Sequence, residues 1–223
     1  MHDHTPEAAP IEVDFVADLA CPWCFLGLVR LDRARALRPD WPVRVRWRPF
    51  FLNPHMPPEG MDRATYVRRK FGGNAKEVYQ RIEESGRADG VAFAFDRMPR
   101  TPNTTLAHRL ILFAEERGAA DQVIRALFRA LFQDGRDVSR AEVLAALAEE
   151  AGLDRDEVSA FLASDRLERE VIAAHQQAER AGVHGVPVFV VDREHTITGA
   201  QPPEILADLL DVAVAARRLP AAP

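Results

Sequence analysis

The period of apolar and polar positions changes twice along this chain. Ile11-Glu12-Val13-Asp14-Phe15-Val16-Ala17 alternates apolar with acidic residues and then becomes wholly apolar, which predicts a strand. From Phe25 towards Arg38 the spacing turns helical, with Leu28, Leu31 and Ala34 on one face and Pro39 beyond them as a stop. Val43-Arg44-Val45-Arg46-Trp47-Arg48 alternates strictly and predicts a second strand, whose three arginines share what reads as a solvated face. Strand, helix, strand on this scale is a βαβ unit, right-handed in almost every case.

From about Asp62 to Gly182 the pattern is helical, and Val123, Ile124, Leu127, Phe128, Leu131 and Phe132 form an apolar stripe. Ser139 with Glu142 has capping-box spacing, and Asp154 with Glu157 resembles one with an aspartate cap. Gly118, Gly152 and Gly182 stand where helices end. Strand character returns in Val186-Pro187-Val188-Phe189-Val190-Val191. A turn at Asp192-Arg193-Glu194-His195 leads to a short strand, Thr196-Ile197-Thr198. Pro202 and Pro203 open a last helix with a stripe of Ile205, Leu206, Leu209 and Leu210. The chain reads β-α-β, a helical block, then β-β-α. This predicts an α/β fold in which 11–61 and 183–219 share one mixed sheet, 62–182 is an inserted helical domain, and 1–10 and 220–223 are flexible tails.

At 223 residues the chain suits one domain or one domain with an insertion. A hydrophobic fraction of 47% rules out disorder as a whole-chain reading. No apolar run approaches the roughly 20 residues of a membrane helix. A net charge of -5 and a pI near 5.8 argue against nucleic acid or an anionic membrane as partner. Met1-His2-Asp3-His4-Thr5-Pro6-Glu7 lacks the basic start and apolar core of a secretory signal, so a cytoplasmic location is expected. The 2 cysteines, Cys21 and Cys24, cannot build a disulfide-rich scaffold or a four-cysteine zinc site.

Those two cysteines carry the strongest chemical signal. Cys21-Pro22-Trp23-Cys24 follows a strand directly and opens a helix, the context a C-x-x-C redox motif needs. At the helix start, unpaired amides and the positive end of the dipole favour a thiolate at Cys21. Cys24, one turn further, is spaced to close a disulfide or resolve a mixed one. Pro22 fits the first turn, where its missing N–H is no loss. The histidines of the folded part show no i, i+3 or i, i+4 pair that would complete a zinc site. Val186-Pro187 is the second signal: a proline opening an apolar strand after Gly185 suits a cis bond facing the cysteine pair. Gly199-Ala200-Gln201 and Asn103-Thr104-Thr105 read as helix caps. His108, Arg109 and Asn53 read as structural hydrogen-bonders.

Together these segments resemble the DsbA-like thioredoxin-fold oxidoreductases, in their FrnE-like branch. The resemblance runs through Asp14-Phe15-Val16, the cysteine motif, Arg48-Pro49-Phe50-Phe51-Leu52-Asn53-Pro54, Asn103-Thr104 with Ala107-His108, Gly185-Val186-Pro187-Val188-Phe189 and Gly199-Ala200-Gln201-Pro202. It implies a thioredoxin domain interrupted by a helical domain, and thiol–disulfide exchange with protein substrates or small thiols. Cys21 would be the nucleophile and Cys24 the resolving thiol. Pro22, Trp23, Val186 and Pro187 would shape the substrate groove. No metal or organic cofactor is implied, although glutathione is a possible co-substrate with Asn53, Ala200 and Gln201 as contacts. The protein would act as a monomer or homodimer.

The branch is also similar to kappa-class glutathione transferases and 2-hydroxychromene-2-carboxylate isomerases, which typically carry serine at the first catalytic position. Both cysteines here favour exchange over glutathione-dependent isomerisation of a small aromatic molecule. Pro-Trp in place of the Pro-His of periplasmic DsbA removes the histidine that helps stabilise that enzyme's thiolate, so its extreme oxidising power is not implied. A non-enzymatic chaperone or binding module is the remaining alternative, distinguished by client protection that survives loss of both cysteines.

Overall fold

The structure is a computed structural model and describes residues 9–218. Strand β1 (Ile11–Ala17) lies between β2 (Val43–Pro49) and β5 (Val188–Val191), and β6 (His195–Thr198) closes the sheet in the order β2-β1-β5-β6. β1 pairs parallel with β2, in register from Ile11↔Val43 to Ala17↔Pro49. It pairs antiparallel with β5, from Val13↔Val191 to Val16↔Val188. The sheet is therefore mixed, as the sequence pattern predicts. Helix α1 (Pro22–Ala36) makes the crossover between β1 and β2, and α9 (Pro203–Arg218) packs against α1 and across β1, β5 and β6.

Between β2 and β5 the chain forms α2 (Arg63–Phe71), α3 (Ala75–Ala88), α4 (Thr105–Glu115), α5 (Ala120–Phe132), α6 (Ala141–Glu150), α7 (Arg155–Ala163) and α8 (Glu168–Arg180). It also forms a two-stranded ribbon that periodicity does not show, β3 (Met61–Asp62) against β4 (Arg100–Thr101). The stripe Val123, Ile124, Leu127, Phe128, Leu131 and Phe132 is buried on α5. Phe128 and Phe132 stack on Phe25 of α1, with ring centroids at 5.3 and 6.3 Å. One apolar cluster thus runs from the sheet into the helices.

Several expectations need correction. Ser139 does not cap α6: its hydroxyl and amide both turn to Asp137 Oδ1, and the helix starts at Ala141 after Arg140. Asp154 does cap α7, accepting from the Glu157 amide at 2.8 Å. Ile205 is 43% exposed, so the buried stripe of α9 runs through Leu206, Ala207, Leu210 and Ala213. β5 begins at Val188, because Val186 and Pro187 lead into the strand without joining the ladder. The arginines of β2 are ion-paired rather than merely solvated: Arg44 and Arg46 reach Glu12, and Arg46 and Arg48 reach Asp14. The expected tails 1–10 and 220–223 lie mostly outside the described residues. Ala9 and Pro10 are described, and the Arg217 guanidinium donates to their carbonyls at 2.6 and 2.9 Å.

Candidate active site

β1, an inner strand, carries the chain to one end of the sheet, where Asp18, Leu19 and Ala20 turn it into α1. Cys21 is the N-cap residue, in extended geometry, and Pro22 follows in the first turn. The Cys21 carbonyl accepts from the Cys24 amide at 3.0 Å, starting the helix. Its side chain makes no capping bond, so the sulfur stays available at the positive end of the helix. Cys21 retains 4% exposure and lines a cavity, whereas Cys24 is wholly buried behind it. Both thiols are free. Burial pushes the Cys24 thiol well above its ordinary value, helped by the neighbouring Cys21 and the Asp18 carboxylate, with the Asp18 backbone opposing.

The second wall comes from far along the chain. The Val186–Pro187 bond is cis, and the Cys21 thiol donates to the Val186 carbonyl at 3.6 Å. Gly199, with φ of 81°, sends its amide to the Pro187 carbonyl at 2.8 Å and so ties this segment to the end of β6. α1 can approach because position 27 is glycine. A Cβ there would stand 3.1 Å from Pro187 Cγ and 3.2 Å from Phe189 Cζ.

Beneath the cysteines lies a buried polar group that sequence reading missed. Asp18 accepts from the amides of Leu52 at 2.8 Å and Ala20 at 3.1 Å. His108 Nε2 stands 3.4 Å from Asp18 Oδ1, close to the carboxylate but not in hydrogen-bond alignment. Trp47 Nε1–H, which can only donate, hydrogen-bonds to His108 Nδ1 at 2.9 Å. The imidazole N–H therefore sits on Nε2, facing the carboxylate. Burial raises the Asp18 carboxyl, but the His108 contact and the two amides outweigh it and hold it below the usual 3.8. The signal available in the sequence was one acidic residue between Ala17 and Leu19 in an otherwise apolar run. From sequence His108 reads as a structural hydrogen-bonder, which its Trp47 bond supports. Arg109 is one, donating to the carbonyls of Phe161, Ser164 and Arg166.

A cavity of about 250 Å³ opens beside Cys21. Cys21, Pro22, Trp23 and Val186 form one side, and α2, α3 and the loops around Phe95 and Pro102 form the other. Pro187 sits behind this surface, facing the adjoining groove with Thr196 and Thr198. Asn53 is not in the cavity wall. It lines two neighbouring hollows, accepts from the Tyr66 hydroxyl at 3.2 Å, and leaves its buried Nδ2 unpaired. Ala200 and Gln201 are apart from the cysteines: the Ala200 carbonyl is held by Arg30, and Gln201 Nε2 donates to Thr198 O at 2.8 Å. Asn103 rather than Thr104 serves α4, its Oδ1 accepting from the Thr105 amide at 2.9 Å. Among the described residues, no group of three or more His, Cys, Asp or Glu side chains is placed to hold a metal ion.

With this geometry in view, comparison with known proteins is decisive at the family level. A model described as a DSBA-like thioredoxin domain matches residues 12–211. The chain belongs to that family. A probable DsbA oxidoreductase from Streptomyces coelicolor is similar over 96% of this DSBA-like chain and 93% of its own, at 33% identity and a TM-score of 0.84. The protein YwbO of Bacillus subtilis is 26% identical over 81% of this chain and 86% of its own. The cytosolic disulfide reductase DsbM from Pseudomonas aeruginosa, solved with GSH, shares the fold at 18% identity and a TM-score of 0.64, over 92% and 99% of the two chains. The fold is thus a DsbA-like thioredoxin fold with additional helices, and its two cysteines lie together at the start of α1. No helix among the described residues is long and apolar enough to cross a membrane.

Proposed function

We propose that this protein is a thiol–disulfide oxidoreductase of the FrnE-like branch, acting in the cytoplasm through Cys21 and Cys24. The observation that carries the reading is the asymmetry of the pair. One thiol lies at a helix N-terminus on a cavity wall, and the other is buried one turn behind it with its proton held firmly. In the reductive direction, the Cys21 thiolate attacks a substrate disulfide. A Cys21–substrate disulfide forms, and the other substrate sulfur leaves as a thiolate that takes up a proton. Cys24, on losing its proton, attacks the Cys21 sulfur, expels the second substrate thiol and closes the Cys21–Cys24 disulfide. Two electrons pass to the substrate, and the reverse sequence oxidises a dithiol. Val186 forms the wall against which the substrate lies and Pro187 backs it, with Pro22 and Trp23 beside the nucleophile. Protein thiols or glutathione regenerate the pair, and the glutathione-bound DsbM supports glutathione in that role. Residues 11–61 and 183–219 supply the redox half, and 62–182 the opposite wall.

Trapping tests the assignment. Cys24→Ser should accumulate mixed disulfides with glutathione or client proteins, and Cys21→Ser should accumulate none while losing insulin reduction. Equal trapping by the two variants, or a pair that stays reduced across glutathione redox buffers, would overturn the reading.

A further inference from the structure

The far wall of the Cys21 cavity has a chemistry of its own. Helix α2 carries Arg63, Arg68, Arg69 and Lys70, has no acidic residue, and buries none of its side chains. In a chain of net charge -5 this is a local excess of positive charge. Arg63 and Lys70 lie seven positions apart, on one helical face with Tyr66, and all three line the cavity. Among the described residues neither cation has a carboxylate within salt-bridge distance. Arg63 instead lies over the rings of Tyr79 and Phe95, 5.0 and 5.3 Å from their centroids. Lys70 lies over Tyr66 and Phe71 at 5.3 and 5.9 Å and donates to the Tyr66 hydroxyl at 2.7 Å. Burial raises the Tyr79 phenol, so that hydroxyl stays neutral. The wall is therefore aromatic, uncharged apart from two unpaired cations, and faces a thiol.

We propose that this cavity takes a small disulfide or thiol with an aromatic body and a carboxylate. The carboxylate would lie on Arg63 and Lys70, and the ring among Tyr66, Phe71, Tyr79 and Phe95. The sulfur would then be presented to Cys21. The inference rests on the disulfide-exchange reading above and names its substrate class. A room of about 250 Å³ suits a one- or two-ring group and excludes a folded protein surface from its depth. The half-buried aromatic rings flanking Arg63 limit the water around its guanidinium, and arginine can grip a carboxylate with two parallel bonds, with Lys70 adding charge at the exposed rim. The balanced reaction is reduced protein plus aromatic disulfide giving the Cys21–Cys24 disulfide plus two aromatic thiols.

The test is stopped-flow oxidation of the reduced protein by two aromatic disulfides that differ in charge. One is dithiobis(nitrobenzoate), with a carboxylate on each ring, and the other is dithiodipyridine, with none. Glutathione disulfide serves as a carboxylate carrier without a ring. In wild type the dicarboxylate should react fastest and its rate should saturate with concentration. In Arg63→Gln/Lys70→Gln the ratio of the dicarboxylate rate to the dipyridine rate should fall about tenfold, and Arg63→Lys should restore part of it. Arg68→Gln, a cation off the cavity wall, should leave the ratio as it was. An unchanged ratio in the double variant, or an equal fall in Arg68→Gln, would overturn anion recognition at this wall. Glutathione disulfide half-saturating at or below the concentration the dicarboxylate needs would overturn the aromatic part, because raw rates also follow the leaving-group pKa. Wild type inert to all three would overturn the disulfide-exchange reading itself. Exchange that proceeds with a dicarboxylate rate independent of Arg63 and Lys70 would overturn only the inference.

Discussion

At the scale of single residues, the site turns on how two buried groups hold their protons. Asp18 is ionised in an apolar surround because His108 Nε2 and two amides face it, whereas burial first, then Cys21, keeps the Cys24 proton in place, with a smaller contribution from the Asp18 charge. The carboxyl titrates lower in the folded chain than in the unfolded one. Its stabilising contribution is therefore present above the unfolded value of 3.8 and is lost as the pH falls through the folded value. Asp18→Asn keeps an acceptor for the same amides but cannot titrate. The difference in unfolding free energy between wild type and Asp18→Asn should be flat above 3.8 and drift against wild type below it, as urea titrations across that range would measure. A difference that stays flat to the acid limit would contradict the assignment. Cys21, Cys24 and Pro187 were legible because each belongs to a short motif with its own local context. Asp18 with His108 and Trp47 was not, because the three come from a turn, a helix and a strand that only the folded chain brings together.

At the scale of elements, legibility follows the strength of the period. β1, β2, α1 and α5 alternate or stripe over whole turns and were readable. The ribbon of β3 and β4 has two residues a side, too short to hold a period, and the Ser139 cap was lost to a nearer acceptor, Asp137. The contact of α1 with the Val186–Pro187 wall is the element-level feature that matters most for the site, and Gly27 makes it possible. Alanine is favoured over glycine inside a helix by about 0.8–1.0 kcal/mol. Overpacking a tight contact costs about 1–3 kcal/mol. With Pro187 Cγ at 3.1 Å and Phe189 Cζ at 3.2 Å from the new methyl, and Phe189 itself stacked on Phe15 at 4.9 Å, the second effect wins. Gly27→Ala should lose about 1 kcal/mol net in chemical denaturation. It should also slow disulfide exchange, because Val186 shifts relative to Cys21. A gain in stability would mean that the wall yields freely.

At the scale of the whole molecule, α1 is held on several sides by the rest of the chain. Asp89, at the end of α3, takes Arg30 at 2.6 Å and Arg33 at 3.0 Å, with side chains 7% exposed for Asp89 and 14% for Arg30. Removing one partner of a buried pair costs about 3–5 kcal/mol. Arg30 keeps Ser85 and Ala200 as partners, so Asp89→Ala should fall at the low end, about 3 kcal/mol. Glu142→Ala, which breaks a fully exposed pair with Arg140, should leave the denaturation midpoint essentially unmoved in the same assay. These links and the shared aromatic cluster bear on how the molecule unfolds. Phe25 of α1 packs on Phe93, Phe128 and Phe132, and Trp47 of β2 packs on Phe128 at 6.0 Å, so sheet and helices bury the same rings. Neither part can open without exposing apolar surface of the other, and deleting one such ring costs about 3–5 kcal/mol. Unfolding should therefore be a single cooperative step. Urea curves followed by the fluorescence of buried Trp47, in a variant lacking the other two tryptophans, should coincide with those followed by far-ultraviolet helix signal, and Phe128→Ala should shift both together. Separate midpoints, with the helical signal lost first, would show that the inserted helices fold as a unit of their own.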